Sequence, residues 1–204
     1  MSTFKSILRG YLAGICISFG GTVYTLSSNK IIGSVFFCVA LLTICYMQLS
    51  LYTGKIGFLV ENHSKNDIVE ILCCLLGNIA GVVSIGSLWP FDTQLVLTCQ
   101  EMVTGKLSTS LYITFINAVM CGILMYIAVW IYKYKHNIVG ILFCVPTFIL
   151  SGFEHSIADI FYIAAAKEYT LTSIIFVLLV LLGNTVGSML FSFIYSCCRE
   201  TKNN

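Results

Sequence analysis

SGFEHSIADIF, residues 151–161, is the stretch that decides how this chain is expected to fold. It sets a glutamate, a histidine and an aspartate inside a long apolar run, in a chain that is 58% hydrophobic and only 10% charged. That balance is far from the composition of soluble domains and predicts an integral membrane protein. Ionisable side chains at membrane depth are costly, so these three are the first candidates for a functional site.

Apolar runs of about 20 residues, long enough to cross a bilayer, occur six times in the sequence. They are too long and too continuously apolar for the alternating pattern of an outer-membrane barrel. The sequence therefore predicts an all-α membrane protein with a single transmembrane domain over residues 1–204. We expect the first run to be a retained span rather than a cleaved signal. The predicted spans are residues 8–27, 31–60, 69–90, 110–132, 137–165 and 171–196.

The lysines and arginines beside the spans predict the orientation, because cytoplasmic loops carry an excess of them. With both termini cytoplasmic, the basic residues on the inside are Lys5, Arg9, Lys65, Lys133, Lys135, Arg199 and Lys202, and those on the outside are Lys30, Lys106 and Lys167. The sequence thus predicts a multi-pass protein of the inner (plasma) membrane. It has no basic face, so we expect no nucleic-acid partner.

A duplication is indicated by two interrupted spans. The second contains "LSLYTGKIG" (residues 49–57) and the fifth contains "SGFEHSIAD" (residues 151–159), and each is followed by a span with a related phrase, "LLGNIAG" or "LLGNTVG". Three spans per half predict two inverted repeats, about 8–90 and 110–196, whose broken second and fifth helices meet near the midplane in an aquaporin-like arrangement. One LGNxxG phrase alone is more typical of close packing between helices, and it is the two copies at matching positions that indicate the duplication.

Irregular backbone at membrane depth needs polar partners, and the side chains at the two interruptions can supply them. We expect Glu154 to accept hydrogen bonds from amides of the opposite broken helix, and Thr53 to bond across to His155. Burial disfavours the imidazolium, so the His155 ring is expected to be neutral at rest. A packing role for this ring is the alternative. His63 and His136 fall in short loops and are expected to be solvated.

The sequence gives no reason to expect a cofactor, a metal or an enzyme. Most of its ten cysteines lie in apolar runs, where they behave as small hydrophobes, and the adjacent pairs at 73–74 and 197–198 lack metal-site spacing. A haem anchor would need paired histidines at matching depths, whereas His155 is the one histidine within the predicted spans, so this alternative is disfavoured. A pore for small neutral solutes is the remaining alternative, although neither break carries the Asn-Pro-Ala phrase of such pores.

The phrases "LYTGK", "GFEHSIADIF", the paired LGNxxG and "YLAGICISFGG" of the first span resemble the formate/nitrite transporter family over nearly the whole chain. The resemblance implies a homopentamer in the lipid bilayer with one pore per protomer. It also implies passage of small monovalent weak-acid anions (formate, nitrite, hydrosulfide, acetate or lactate), with proton coupling at a central histidine. The cysteine-rich composition and Gly122 slightly favour hydrosulfide or a carboxylate from anaerobic metabolism.

Roles follow from the positions that match the family's motifs. The resemblance implies that Thr53 and His155 form the centre of the pore, that Lys106 is the vestibule lysine, and that Glu154 belongs to the same site. A cation beside a low-dielectric vestibule raises the local anion concentration. The implied constriction residues are Phe37, Leu41, Leu51, Tyr52, Phe148 and Gly122.

Several positions depart from the family pattern. Gly122 stands where a pore asparagine is usual, Ser50 replaces an acidic residue, Lys55 replaces a small or amide residue, and Asp159 replaces an asparagine. The glycine predicts extra room at the constriction. Two roles are open for Asp159: it faces a subunit interface, or it modulates the protonation of His155.

Overall fold

The computed structural model describes residues 3–61, 63–88 and 93–199, and this part of the chain is helical. A 3₁₀ turn over Ile56–Val60 follows the short third helix. In chain order the helices are α1 Thr3–Leu26, α2 Lys30–Tyr46, α3 Tyr52–Lys55, α4 Lys65–Leu88, α5 Thr93–Leu107, α6 Leu111–Lys135, α7 Val139–Leu150, α8 Ser156–Ala166 and α9 Leu171–Cys198.

Four of the described helices, α1, α4, α6 and α9, are long and apolar enough to cross a membrane. Their outer faces carry large apolar side chains that water would not favour, such as Leu76, Tyr112 and Leu171, each more than 60% exposed. By contrast, every residue of α8 is buried. The long helices thus carry exposed apolar surface on their outer faces, whereas α8 lies in the centre of the bundle.

The long helices cross in two close pairs, α1 with α4 and α6 with α9. At the first crossing the backbone of Gly10 lies against that of Gly77, and a Cβ on Gly10 would collide with the Cys74 carbonyl oxygen. At the second, Gly122 lies against Asn184 in the same way. Small residues allow such close approach of two helices in a membrane.

Both interruptions predicted from the sequence are present. The second span stops at the end of α2 and resumes at α3, and the fifth stops at the end of α7 and resumes at α8. Each break contains one residue with positive φ, Gln48 at 53° and Gly152 at 69°. Each ends in one extended residue, Leu51 (φ −110°) and His155 (φ −109°), which caps the following helix. The two breaks therefore have the same backbone geometry.

Asn184 on α9 satisfies the backbone of the second break. Its Oδ1 accepts a hydrogen bond from the Ser156 amide at 2.9 Å, and its Nδ2 donates to the carbonyl oxygens of Glu154 and Ala118, each at 2.8 Å. The asparagine thereby supplies the partners that backbone inside a membrane cannot obtain from water.

Asn78 on α4 does the same for the first break. Its Oδ1 accepts from the Tyr52 amide at 2.8 Å, and its Nδ2 donates to the carbonyl oxygens of Ser50 at 2.8 Å and Gly10 at 2.9 Å. The repeated LGNxxG phrase thus corresponds to a repeated set of hydrogen bonds as well as to close helix packing.

The sequence did not predict α5, because residues 91–109 form no apolar run of spanning length. This helix packs on α8 and carries Lys106 in its last turn. Two other expectations fall outside the described residues: the end of the third span at 89–90, and Lys202.

Candidate functional site

The two breaks meet at a hydrogen bond between His155 and Thr53. The Nε2 atom of His155 lies 2.8 Å from Oγ1 of Thr53, and both residues are buried. This is the contact predicted from the sequence. It joins residues that lie 102 positions apart in the chain, one from each half.

The His155 ring is held on three sides. The Ala158 amide donates to Nδ1 at 3.2 Å, so in the neutral ring the proton resides on Nε2 and is donated to Thr53. The Phe148 ring stacks on the imidazole, with centroids 5.5 Å apart and planes 18° apart. Ala158 was not foreseen as the group that fixes the tautomer. The hydrogen bond from the Ala158 amide thus selects a neutral imidazole with one N–H donor, at Nε2.

A cavity of about 170 Å³, here called the lysine cavity, lies on one side of this contact. His155, Lys106 and Asp159 provide its ionisable lining together with the phenols of Tyr24 and Tyr162. Its apolar lining includes Phe37, Met102, Phe148 and Ile149. It is large enough for a small anion with a few water molecules.

A second cavity of about 350 Å³ is lined by Leu41, Leu51 and Gly54, the residue after Thr53. Leu41 lies one turn after Phe37 on α2, so the two cavities lie at successive levels along that helix, with the Thr53–His155 contact between them. This cavity also contains three basic groups, Lys55, Lys133 and His136.

The apolar side chains between the cavities form a septum, defined as Phe37, Leu41, Leu51 and Phe148. All four are buried, and the rings of Phe37 and Phe148 meet edge to face with centroids 6.3 Å apart. These four are among the six constriction residues expected from the resemblance.

Lys106 is paired with two carboxylates. Its Nζ bonds to Oε2 of Glu154 and lies 3.0 Å from Oδ1 of Asp159. The expectation that Glu154 bonds amides of the opposite broken helix is therefore wrong, because its carboxylate turns to the lysine. A subunit-interface position for Asp159 is also wrong, since its side chain is only 2% exposed in the single chain.

Two expected constriction residues lie elsewhere. The Tyr52 hydroxyl bonds to Thr185 at 2.7 Å, and its ring packs with Ile71 and Cys74, away from both cavities. Gly122 lies in the crossing of α6 with α9, where its lack of a Cβ admits the Asn184 backbone. The prediction that this glycine widens a pore is therefore wrong, because the backbone of α9 occupies the space that a side chain at position 122 would fill.

The other histidines and the cysteines agree with a single central site. His63 and His136 are exposed, and all ten cysteines are free thiols. Among the described residues no group of three or more potential ligands could hold a metal ion. The sequence reasoning missed the roles of Asn78 and Asn184, for which the asparagine shared by the two LGNxxG phrases was the available signal.

Interrupted helices that meet at a buried histidine between two cavities define a class: a polytopic membrane protein built as a channel or transporter. The profile of one family, "Formate/nitrite transporter", matches residues 1–197. The chain belongs to the formate/nitrite transporter family. This is a family of transporters, which confirms the expectation that the chain is not an enzyme.

A curated relative and two solved structures agree with this assignment. The nitrite transporter NirC of Escherichia coli (strain K12) is 28% identical over 195 residues, covering 84% of this chain and 72% of the relative. A pentameric formate channel with formate bound superimposes with a TM-score of 0.80 at 21% identity, covering 96% of each chain. An ion channel of the same family gives 0.79 at 24% identity, covering 97% of this chain and 90% of its own. The two structures establish the fold.

Proposed function

We propose that this protein is a channel for small monovalent weak-acid anions, which cross the septum beside His155 together with a proton. Formate and nitrite, for which the similar proteins are named, are the first candidates. Hydrosulfide, acetate and lactate share the same charge and small size. The observation that carries the proposal is the Thr53–His155 hydrogen bond between two cavities at the meeting point of two broken helices.

The septum sets the physical problem for such a channel. An anion that loses its hydration against phenylalanine and leucine side chains pays several kcal/mol, about as much as an incompletely compensated buried charge. A neutral acid pays far less. Passage through the septum is therefore favoured when the anion gains a proton in the lysine cavity and releases it in the second cavity.

The neutral His155 ring serves this step as a hydrogen-bond donor. Its Nδ1 atom is occupied by the Ala158 amide, and the ring caps the N-terminus of α8, where the helix dipole disfavours a positive charge. The Nε2–H group can donate its hydrogen bond to a passing solute in place of Thr53, and the Thr53 hydroxyl can then donate to the same solute. The pair guides a small polar solute through an apolar layer without the ring becoming charged.

The wider architecture belongs to the same proposal. The matched breaks and the matched asparagine bonds support two inverted three-helix repeats. The fold neighbour described as pentameric supports a homopentamer in the lipid bilayer. The distribution of lysine and arginine supports cytoplasmic termini, with the lysine cavity opening toward the outer face.

Proteoliposomes provide the test. Purified protein is reconstituted with a pH-sensitive dye inside, and uptake of formate, nitrite, hydrosulfide, acetate and lactate is followed at two external pH values. We expect saturable anion uptake accompanied by internal acidification, and loss of most of both signals in His155→Asn. The matched control is His63→Asn, which makes the same change at an exposed loop residue.

Two results would contradict the proposal. Uptake of glycerol or water with no response to anions would indicate a pore for neutral solutes. Equal anion uptake by His155→Asn and His63→Asn, with both variants eluting as the wild-type oligomer, would remove the histidine from the mechanism.

A further inference from the structure

The charged cluster beside the lysine cavity contains more acid than base. Lys106 is its cation, and the carboxyl groups of Glu154 and Asp159 both contact that one ammonium group. The three side chains are at most 21% exposed. With both carboxyls ionised, the cluster would carry a net charge of −1 in a buried site and would repel the anion that the channel is proposed to admit.

Asp159 is also incompletely paired. Its Oδ1 meets Lys106, but its Oδ2 is buried and has no hydrogen-bond partner among the described residues. A buried carboxylate oxygen without a partner is expensive, whereas a protonated carboxyl group is far less so. Two carboxyl groups at one site rarely both ionise, so one of them retains a proton.

Among the ionisable groups around the cluster, Asp159 is the one that can hold a transferable proton. The Glu154 carboxylate is bonded to Lys106, and His155 is committed to Ala158 and Thr53 as a neutral donor. The remaining titratable neighbours are phenols and thiols, which stay protonated near neutral pH; they are Tyr24, Tyr162, Cys99 and Cys121. From α4 and α9 the residues packed on α8 include Gly86 and Asn184, which are uncharged.

From this arrangement we infer that Asp159 is the proton store of the channel: its carboxylic acid protonates the anion that enters the lysine cavity. The O–H bond at Asp159 breaks, a new O–H bond forms on the anion (an S–H bond in the case of hydrosulfide), and no electrons are transferred. The neutral acid crosses the septum, and a water-borne proton from the cavity side reloads the carboxylate. This inference rests on the proposed function and adds to it the source of the proton.

Two features of the site offset the cost of ionising Asp159 in this transfer. A desolvated anion is a stronger base than in water, because burial disfavours its charge. The charge that appears on Asp159 lies 3.0 Å from Lys106 and in the first turn of α8, whose N-terminal end stabilises a negative charge. A mobile charge facing an apolar septum is thus exchanged for a fixed charge beside a cation.

Formate uptake by wild type, Asp159→Asn and Asp159→Glu, measured in proteoliposomes across a series of external pH values, tests the inference. Once the pH exceeds the pKa of the Asp159 carboxyl group, wild-type uptake is expected to fall by up to about tenfold per pH unit, because the protonated fraction of that group falls by the same factor. Asp159→Asn keeps the size of the side chain but holds no transferable proton. Its residual uptake should be slower, nearly independent of pH, and accompanied by fewer protons per formate. Asp159→Glu should restore a pH-dependent profile with a shifted midpoint.

The outcomes separate this inference from the proposed function. If wild type takes up no anion, the proposed function fails. If wild type takes up formate with protons and Asp159→Asn slows uptake without changing the shape of the pH profile, Asp159 is only a counterion of Lys106 and the inference is wrong. If Asp159→Asn does not elute as the wild-type oligomer, an unshifted profile in Asp159→Glu overturns the inference.

Discussion

Replacement of Asn184 by alanine tests whether the asparagines hold the broken helices in place. In Asn184→Ala the Ser156 amide and the carbonyl groups of Glu154 and Ala118 lose their side-chain partner together. The Ser156 amide and the Glu154 carbonyl group flank His155 at the second break, and the Ala118 carbonyl group lies on α6. The change therefore acts on the geometry of the central histidine without touching it.

The magnitude follows from the count of bonds. Three hydrogen bonds at about 1 kcal/mol each in proteins generally, or about 0.6 kcal/mol each in membrane proteins, predict a loss of roughly 2 to 3 kcal/mol. The neighbouring Thr185→Val removes the part-buried hydrogen bond between Thr185 and Tyr52, and also the bond from the Thr185 hydroxyl to the Leu181 carbonyl of the same helix. That control is expected to cost about 1 kcal/mol or less.

Denaturant or SDS titration of the purified protein in detergent measures both variants against wild type. Asn78→Ala is a second test, because Asn78 makes the equivalent three bonds at the first break. Equal stability of Asn184→Ala and Thr185→Val would refute the reasoning. A loss at Asn184 without one at Asn78 would show that the two halves are not held in the same way.

Three further variants have defined outcomes. Gly122→Ala should destabilise the protein by about 1 to 3 kcal/mol in the same titration, because its Cβ meets the backbone of α9, whereas Gly105→Ala, with open space around it, should be neutral or slightly stabilising. Thr53→Val should slow anion uptake by leaving the His155 Nε2–H without its acceptor, and Thr53→Ser should recover it; equal rates in both would contradict the role of the hydroxyl. Phe148→Ala should admit larger or hydrated ions, measured as leak of chloride from proteoliposomes, and an unchanged leak would remove this ring from the barrier.

Local patterns in the sequence predicted a large part of the site. The two interruptions are visible because glycine and ionisable residues break apolar runs, and the bond between Thr53 and His155 follows from placing both breaks at one depth. The septum residues Phe37, Leu41 and Phe148 came from their register with the family motifs. These features depend on residues near one another in the chain or on a match of short phrases.

Other features required the packed structure. Gly122 and Tyr52 have the same local sequence whether they face a pore or a neighbouring helix, and only the contacts with α9 and α4 distinguish the two. The helix α5 is too short and too polar to resemble a span, yet its last turn brings Lys106 to the carboxyl groups.

The sequence by itself determined the membrane environment, the two interruptions and the family, because hydropathy and short motifs are properties of neighbouring residues. Only the tertiary structure decided which groups share the central site. Lys106 meets Glu154 across 48 positions, and Thr53 meets His155 across 102. Such pairings are set by how buried polar groups find partners when the helices pack.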